Sequence, residues 1–167
     1  FIVVTWDIAH GMVCSISSKR LHDSLVHACE RLVWVAKYIN SGMVDVNLLH
    51  GTFLTELGGD SLQLGIQELQ QVVQKATPHN RAKAYHQLGL TYLKLEKSGT
   101  AETMLDSMYV LLHPGDATTH IRIDYQSILN HYLKSKNYKK VEQYTQLMLQ
   151  ERQALKEKKL KNYLTVL

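Results

Sequence analysis

The chain has 167 residues, of which 45% are hydrophobic, 20% are charged and only two are prolines, and this composition excludes an intrinsically disordered protein. A domain of this length buries roughly 70% of the surface that its unfolded chain exposes, so neither a disulfide framework nor a metal is needed for folding. The net charge of +4 is mild, and no apolar stretch approaches the roughly 20 residues of a membrane span.

The two cysteines, Cys14 and Cys29, match no metal-binding spacing and indicate free thiols in a reducing compartment. We therefore expect a soluble intracellular protein, cytoplasmic or nuclear, that makes no membrane contact. Since the first residue is Phe1 and not Met, we expect the chain to be part of a longer or processed protein.

Apolar residues recur at intervals of three and four along almost the whole chain, and no segment shows the sustained two-residue alternation of a half-buried strand. This periodicity predicts an all-α protein built of helices of about 12 to 20 residues. The later helix boundaries are expected at clusters of turn formers and cap residues, which are Gly58-Gly59, Thr77-Pro78, Lys97-Ser98-Gly99, Pro114-Gly115 and Ser135-Lys136-Asn137.

An internal repeat is visible as a ladder of aromatic and aliphatic residues that occurs twice at a constant shift of 40 residues. Its members are Tyr85, Leu88, Gly89 and Tyr92 in the first copy and Tyr125, Ile128, Leu129 and Tyr132 in the second. The following helices also stay largely in register, because Ala101 aligns with Val141 and Met108 with Met148. A weaker, earlier copy begins at Phe53, Leu54 and Leu57.

The order and spacing of this ladder resemble the tetratricopeptide repeat, in which small residues let two helices approach closely and aromatic residues fill the gap to the next repeat. Gly89 and Ala101 are the matching small residues, and Pro114 falls close to the terminal proline of that pattern. The second copy departs from it by placing Leu129 where glycine is preferred. Its connecting loop, Gly115 to Thr119, is also longer. An ordinary helical bundle is the alternative, since the same spacing suits any buried helix.

The resemblance implies antiparallel helical hairpins stacked as a short tetratricopeptide-like superhelix. We expect residues 1–46 to form an N-terminal helical segment that packs on the array. Residues 47–150 would hold about three repeats, and residues 151–167 would form a capping helix.

In the family that the chain resembles, the first helices of the hairpins line a concave groove that binds partner segments. The positions implied for such a groove are Lys83, His86, Leu90, Lys94, Gln126, Asn130 and Lys134. This polar and basic mixture would favour a peptide with acidic groups or a free carboxylate, and a solvated helix face is the alternative. We therefore expect a non-catalytic scaffold that binds another protein or a peptide, within a larger complex or as a peptide-sensing regulatory domain of a larger regulator.

A different chemistry is indicated by Leu57-Gly58-Gly59-Asp60-Ser61-Leu62, which is similar to the phosphopantetheine attachment motif of carrier proteins. That resemblance implies that Ser61 carries a prosthetic group. The alternative is structural, with the glycines in a tight interhelical turn and Asp60 or Ser61 capping the helix that follows.

The remaining polar residues predict neither catalysis nor a cofactor. The nine histidines include no HExxH motif and no cluster with cysteine, so no metal site is expected. The lysine-rich stretch from Gln150 to Lys161 is interleaved with Glu151 and Glu157 and lacks stacking aromatics, which favours a solvated capping helix over a nucleic-acid contact.

Overall fold

The computed structural model describes residues 43–112 and 121–164, with side chains over 46–112 and 121–157. Every regular element in these ranges is helical, which confirms the all-α prediction. The chain divides into two compact units, one ending at Ala76 and the other beginning at Thr77. The helices are α1 (Met43–Leu57), α2 (Leu62–Lys75), α3 (Pro78–Lys94), α4 (Ser98–Leu111), α5 (Tyr125–Lys134) and α6 (Tyr138–Leu164).

Helices α1 and α2 form the hairpin of the first unit, and they cross at two glycines. A Cβ atom on Gly65 would lie 2.8 Å from the main-chain nitrogen of Thr55 and 2.9 Å from the carbonyl oxygen of Gly51. The two backbones therefore touch at a distance that no larger residue allows at position 65. Leu69, which is fully buried, packs against the same crossing.

Helices α3 and α4 form the first hairpin of the second unit. Pro78 occupies the first turn of α3, where its missing N–H costs no hydrogen bond, and the Thr77 hydroxyl accepts from the Asn80 N–H. The helices approach each other closely at Gly89, since a Cβ atom there would lie 2.7 Å from the Leu105 side chain. Ala101 is fully buried and its carbonyl oxygen lies near the same point.

Helices α5 and α6 form the second hairpin of this unit. The Asp124 carboxylate caps α5 by accepting from the Ser127 N–H, and the Asn137 side chain accepts from the Lys140 N–H at the start of α6. Helix α6 is continuous over 27 residues, so it is longer than the predicted helices and runs through the expected boundary between residues 150 and 151.

The two hairpin turns of the second unit have the same main-chain geometry, 40 residues apart. Glu96 and Lys136 both adopt a left-handed conformation, with φ of 58° and 56°. The N–H of the next residue donates to the carbonyl five residues back in each turn, from Lys97 to Tyr92 and from Asn137 to Tyr132. This is the Schellman helix ending, so the shift that aligns the tyrosine ladders also relates the turns.

One hydrophobic cluster joins the two hairpins of the second unit. On the side of the α5/α6 hairpin its fully buried members are Ile128, Tyr132 and Tyr144, and the rings of the two tyrosines stack with centroids 5.6 Å apart. The Tyr144 hydroxyl donates to the Leu105 carbonyl oxygen of α4 at 2.8 Å. Burial raises the pKa of both tyrosines, because the surrounding apolar groups disfavour the phenolate.

Several predictions fall outside the described residues. They concern Cys14, Cys29 and the N-terminal segment up to residue 42, and also Pro114 with the loop Gly115 to Thr119.

Candidate binding groove

An open groove lies on the α5/α6 hairpin, with a volume of about 890 Å³. It is bounded by the segment that precedes α5, by one face of α5 and by the middle of α6. The residues that line it are Ile121, Arg122, Ile123, Asp124, Tyr125, Gln126, Leu129, Asn130, Leu133, Met148, Glu151, Arg152 and Leu155.

The floor of the groove is apolar. Leu129 and Leu133 lie four residues apart on α5, and Met148 faces them from α6. Leu133 is 49% exposed and Leu155 is 46% exposed, which is high for leucines that line a concave surface. A ligand with apolar side chains would therefore remove leucine surface from water on binding.

The two carboxylates of the groove are already engaged. The Tyr125 hydroxyl donates to Glu151 at 2.8 Å, and burial together with this hydrogen bond raises the pKa of Tyr125. Asp124 accepts from both the N–H and the hydroxyl of Ser127. Burial raises the pKa of Asp124, but the hydrogen bonds from Ser127 lower it by more, so the pKa lies below its ordinary value.

The two arginines of the groove are exposed at its rim. Arg122 precedes α5, and Arg152 lies on α6. Neither forms an ion pair with another residue of the described ranges. Since neither has such a partner, both guanidinium groups are available to an acidic ligand.

The structure brings together only part of the set of groove residues predicted from the sequence. Gln126 and Asn130 are exposed, lie four residues apart on α5 and line the groove. Lys134 is exposed at the end of the same helix but does not line the groove.

The other predicted residues belong to α3. Lys83 is half-buried and Lys94 is exposed, whereas Leu90 packs against the hydrophobic cluster. His86 is buried, and its Nε2 accepts from the Asp124 N–H at 3.0 Å. A ring nitrogen that accepts has no proton, so this geometry assigns His86 to fixing the segment before α5 rather than to meeting a ligand.

Sequence reasoning missed Arg122, Leu133, Arg152 and Leu155, which complete the groove. An amphipathic helix pattern does not distinguish a leucine in the core from one in an open groove, so the pattern does not single out Leu133. The 40-residue shift was the available signal, because it relates Leu133 to Leu93 and Arg152 to Leu112, and both of those counterparts belong to the hydrophobic cluster.

Ser61 lies outside this groove, in the first unit. It ends a short 3-10 helix, Gly59–Ser61, and immediately precedes α2. Gly58 and Gly59 adopt positive φ values of 70° and 55° and form the tight turn, as the structural alternative predicted. The capping part of that prediction is wrong, because no side chain caps either helix here.

The part of the chain that the structure describes contains no group of three histidine, cysteine, aspartate or glutamate side chains that could hold a metal ion. None of the helices α1 to α6 combines the length and apolar character that a membrane span requires. No family model matches the chain, and neither the curated proteins nor the solved structures include a match to it.

Proposed function

We propose that this chain is a non-catalytic, tetratricopeptide-like domain of an intracellular protein, and that it binds another protein or a peptide in the groove of the α5/α6 hairpin. The observation that carries the proposal is the groove itself, which combines exposed leucines with polar side chains at its edge. Such a combination is typical of binding sites in which apolar contacts supply affinity and a few polar groups fix orientation.

The repeated turn geometry supports the tetratricopeptide-like assignment. Two hairpins with the same helix ending, 40 residues apart, are what one structural unit used twice would produce. The close approach at Gly89 and the buried Ala101 give those small residues the packing role that they have in the pattern.

Gln126 and Asn130 give the groove two side-chain amides that can both donate and accept hydrogen bonds. A partner's main chain presents the complementary groups, so these amides can bind a segment independently of its sequence.

The proposal is tested by selecting peptides from a random displayed library on the full chain and measuring their dissociation constants by fluorescence anisotropy. We expect Gln126→Ala and Asn130→Ala each to weaken binding about threefold to tenfold, the value of one hydrogen bond. Gln146→Ala is the matched control, because Gln146 is an exposed amide of α6 outside the groove. If no selected peptide responds to the groove substitutions, this site is not the binding site.

The sensor alternative predicts in addition that a bound peptide raises the thermal midpoint of the domain and changes its contact with the rest of a regulator. The absence of any shift across a peptide library would count against that alternative, because a ligand specific for the folded state must stabilise it.

The carrier alternative rests on one observation, which is that Ser61 is partly exposed, directly precedes α2 and makes no capping hydrogen bond. Its test is the intact mass of the protein after coexpression with a phosphopantetheinyl transferase. Addition of one prosthetic group to the wild type and not to Ser61→Ala would support it, and an unmodified wild type would eliminate it.

A further inference from the structure

More than half of the residues that line the groove correspond to residues on a surface of the α3/α4 hairpin that is covered in this same structure. Seven lining residues have a counterpart 40 positions earlier in the hydrophobic cluster. The groove residues of this set are Arg122, Tyr125, Asn130, Leu133, Met148, Glu151 and Arg152, and their counterparts are Ala82, Tyr85, Leu90, Leu93, Met108, Leu111 and Leu112.

The α5/α6 hairpin is what covers that surface of the first hairpin. It presents Ile128 and Tyr132, four residues apart on α5 and both fully buried. A hydrogen bond between His131 and Glu102 and an ion pair between Lys140 and Asp106 flank the contact. A helix with two apolar side chains one turn apart and complementary polar groups beside them is therefore the kind of element that this surface accepts.

The uncovered copy of the surface keeps an apolar floor but differs at its edge. Ala82 and Leu112 are replaced by Arg122 and Arg152, both exposed. The acidic groups Asp124 and Glu151 are occupied by Ser127 and Tyr125. A hydrogen bond does not neutralise a carboxylate, so the groove is lined by two acidic and two basic groups. The two guanidinium groups differ from the carboxylates in having no ion-pair or hydrogen-bond partner among the described residues.

We propose that the groove docks an amphipathic helix of a partner protein, which takes the place on the α5/α6 hairpin that α5 has on the α3/α4 hairpin. This helix presents apolar side chains one turn apart to Leu129 and Leu133 and carboxylates to Arg122 and Arg152. The inference rests on the proposed function and specifies the ligand of its site.

A second copy of the chain is the less suitable occupant. The helix face that would fill the groove is that of Ile128 and Tyr132, and each copy has already buried these side chains in its own core. The partner must therefore bring its own helix. The two unpaired guanidinium groups at the edge of the groove match carboxylates on the flanks of this helix.

The test uses the full chain and a fluorescein-labelled, 18-residue synthetic peptide. The peptide is an alanine-based helix with isoleucine and tyrosine at positions i and i+4, repeated one turn later, and with glutamates on both flanks. One control peptide has the glutamates replaced by lysines, and another has the same composition in an order that abolishes the helical apolar stripe. Fluorescence anisotropy at low salt, where charge contributes most, gives the dissociation constants.

We expect the acidic peptide to bind and both control peptides to bind at least tenfold more weakly. The double variant Arg122→Glu, Arg152→Glu should lose at least tenfold for the acidic peptide and gain affinity for the lysine peptide. Leu133→Ser should weaken both interactions. Lys139→Glu is the matched charge control, and Leu64→Ser is the matched leucine control, since both residues are exposed and lie outside the groove.

Three outcomes would overturn the inference. If the acidic helix does not bind, but library-selected peptides bind through Gln126 and Asn130, the proposed function survives and the helical ligand is wrong. If neither class of peptide binds, both fail. If the chain self-associates in sedimentation velocity and Leu133→Ser abolishes the association, the occupant is a second copy.

Discussion

The two hairpins of the second unit have the same turn, but one of their matching faces is buried and the other is open. Glu96 and Lys136 end the first helix of each hairpin in the same left-handed conformation, and the tyrosine ladders keep the same register. On the α3/α4 hairpin the face that contains Leu93 and Leu112 belongs to the shared core, whereas the matching face of the α5/α6 hairpin is an open groove. Matching turn geometry alone therefore does not decide whether a hairpin face is buried or open.

The difference lies in a few side chains at the edge of the face. Leu90, Leu111 and Leu112 become Asn130, Glu151 and Arg152, while Tyr125, Leu133 and Met148 keep the apolar character of their counterparts. A fully polar face would be solvated and would need no neighbour, whereas a fully apolar face would require permanent burial. The mixed face of the α5/α6 hairpin is compatible with the reversible docking that we propose.

The largest effect is expected at the helix crossing that distinguishes the two hairpins. Gly89→Leu places in α3 the residue that α5 has at position 129. Because even a Cβ atom would lie 2.7 Å from the fully buried Leu105 side chain, the helices must separate. We expect the free energy of unfolding to fall by about 3 kcal/mol or more, as measured by urea denaturation.

Gly99→Ala is the control for that substitution, since nothing lies within 4 Å of a Cβ atom at Gly99, which is in the first turn of α4. It should stabilise the chain by up to about 1 kcal/mol, because alanine favours the helix. Equal effects of the two substitutions would show that the close approach at Gly89 does not determine the packing of the first hairpin.

The contact between the hairpins is tested by Tyr144→Phe, which removes the hydroxyl that donates to Leu105. At pH 8 we expect a loss of about 1 kcal/mol in the free energy of unfolding. Burial raises the pKa of Tyr144, so the folded state keeps the phenol protonated while the unfolded chain ionises near the ordinary value of 10.0. The tyrosine contribution is therefore complete below pH 10 and declines as the pH rises above it.

The measurement is urea denaturation of both proteins from pH 8 to pH 11, and the quantity of interest is the difference between them. This difference should shrink above pH 10, since the phenylalanine variant has no phenol at this position to ionise. Tyr138→Phe, at an exposed position, should not change the pH profile. If the difference in the free energy of unfolding stayed constant across this pH range, the Tyr144 hydroxyl would not be buried as described.

The segment that enters α5 depends on its cap. Asp124→Ala should cost about 1 kcal/mol, because the Ser127 N–H loses its acceptor, and Asp124→Asn should cost much less, since asparagine caps equally well.

The pKa of Asp124 is lowered in the folded state, so its charge stabilises the fold above pH 4 and this contribution is lost as the pH falls through the folded pKa. Thermal denaturation at pH 7 and pH 3 measures both effects, and a loss from Asp124→Ala that is as large at pH 3 as at pH 7 would contradict the role of the charge.

The smallest effects are expected at the two matching turns. Glu96→Gly and Lys136→Gly relieve a left-handed conformation that L residues adopt at a cost, so each should stabilise the chain by about 0.5 to 1 kcal/mol. Gln146→Gly, in the interior of α6, should instead cost about 1 kcal/mol. If one turn variant stabilised the chain and the other destabilised it, the left-handed strain would not be shared by the two turns.

Much of the helical framework could be predicted from local chemistry. Thr77-Pro78 marks a helix start, because threonine caps the helix and proline fits its first turn. Ser135-Lys136-Asn137 marks a helix end, where Lys136 takes the left-handed conformation. Gly89 and Ala101 mark a close helix crossing. The length of α6 was not predictable in this way, since no breaker separates the repeat from the lysine-rich stretch that follows it.

The groove was only half predictable. Gln126 and Asn130 follow from the resemblance, but His86, predicted beside them, is buried and accepts a main-chain hydrogen bond. Whether a helix residue meets a ligand or a neighbouring element depends on tertiary contacts, and the helix period does not encode that choice. Arg122 precedes α5, so a search confined to helix faces could not find it.

The central claim is that the open face of the α5/α6 hairpin is a docking site equivalent to the covered face of the α3/α4 hairpin. Amide hydrogen exchange of the full chain, with and without the acidic helical peptide, tests it most directly. We predict slower exchange over residues 121–134 and 148–155, and no such change in the Arg122→Glu, Arg152→Glu variant. Unchanged exchange over these two segments at a saturating peptide concentration, or protection confined to α3 and α4, would contradict the claim.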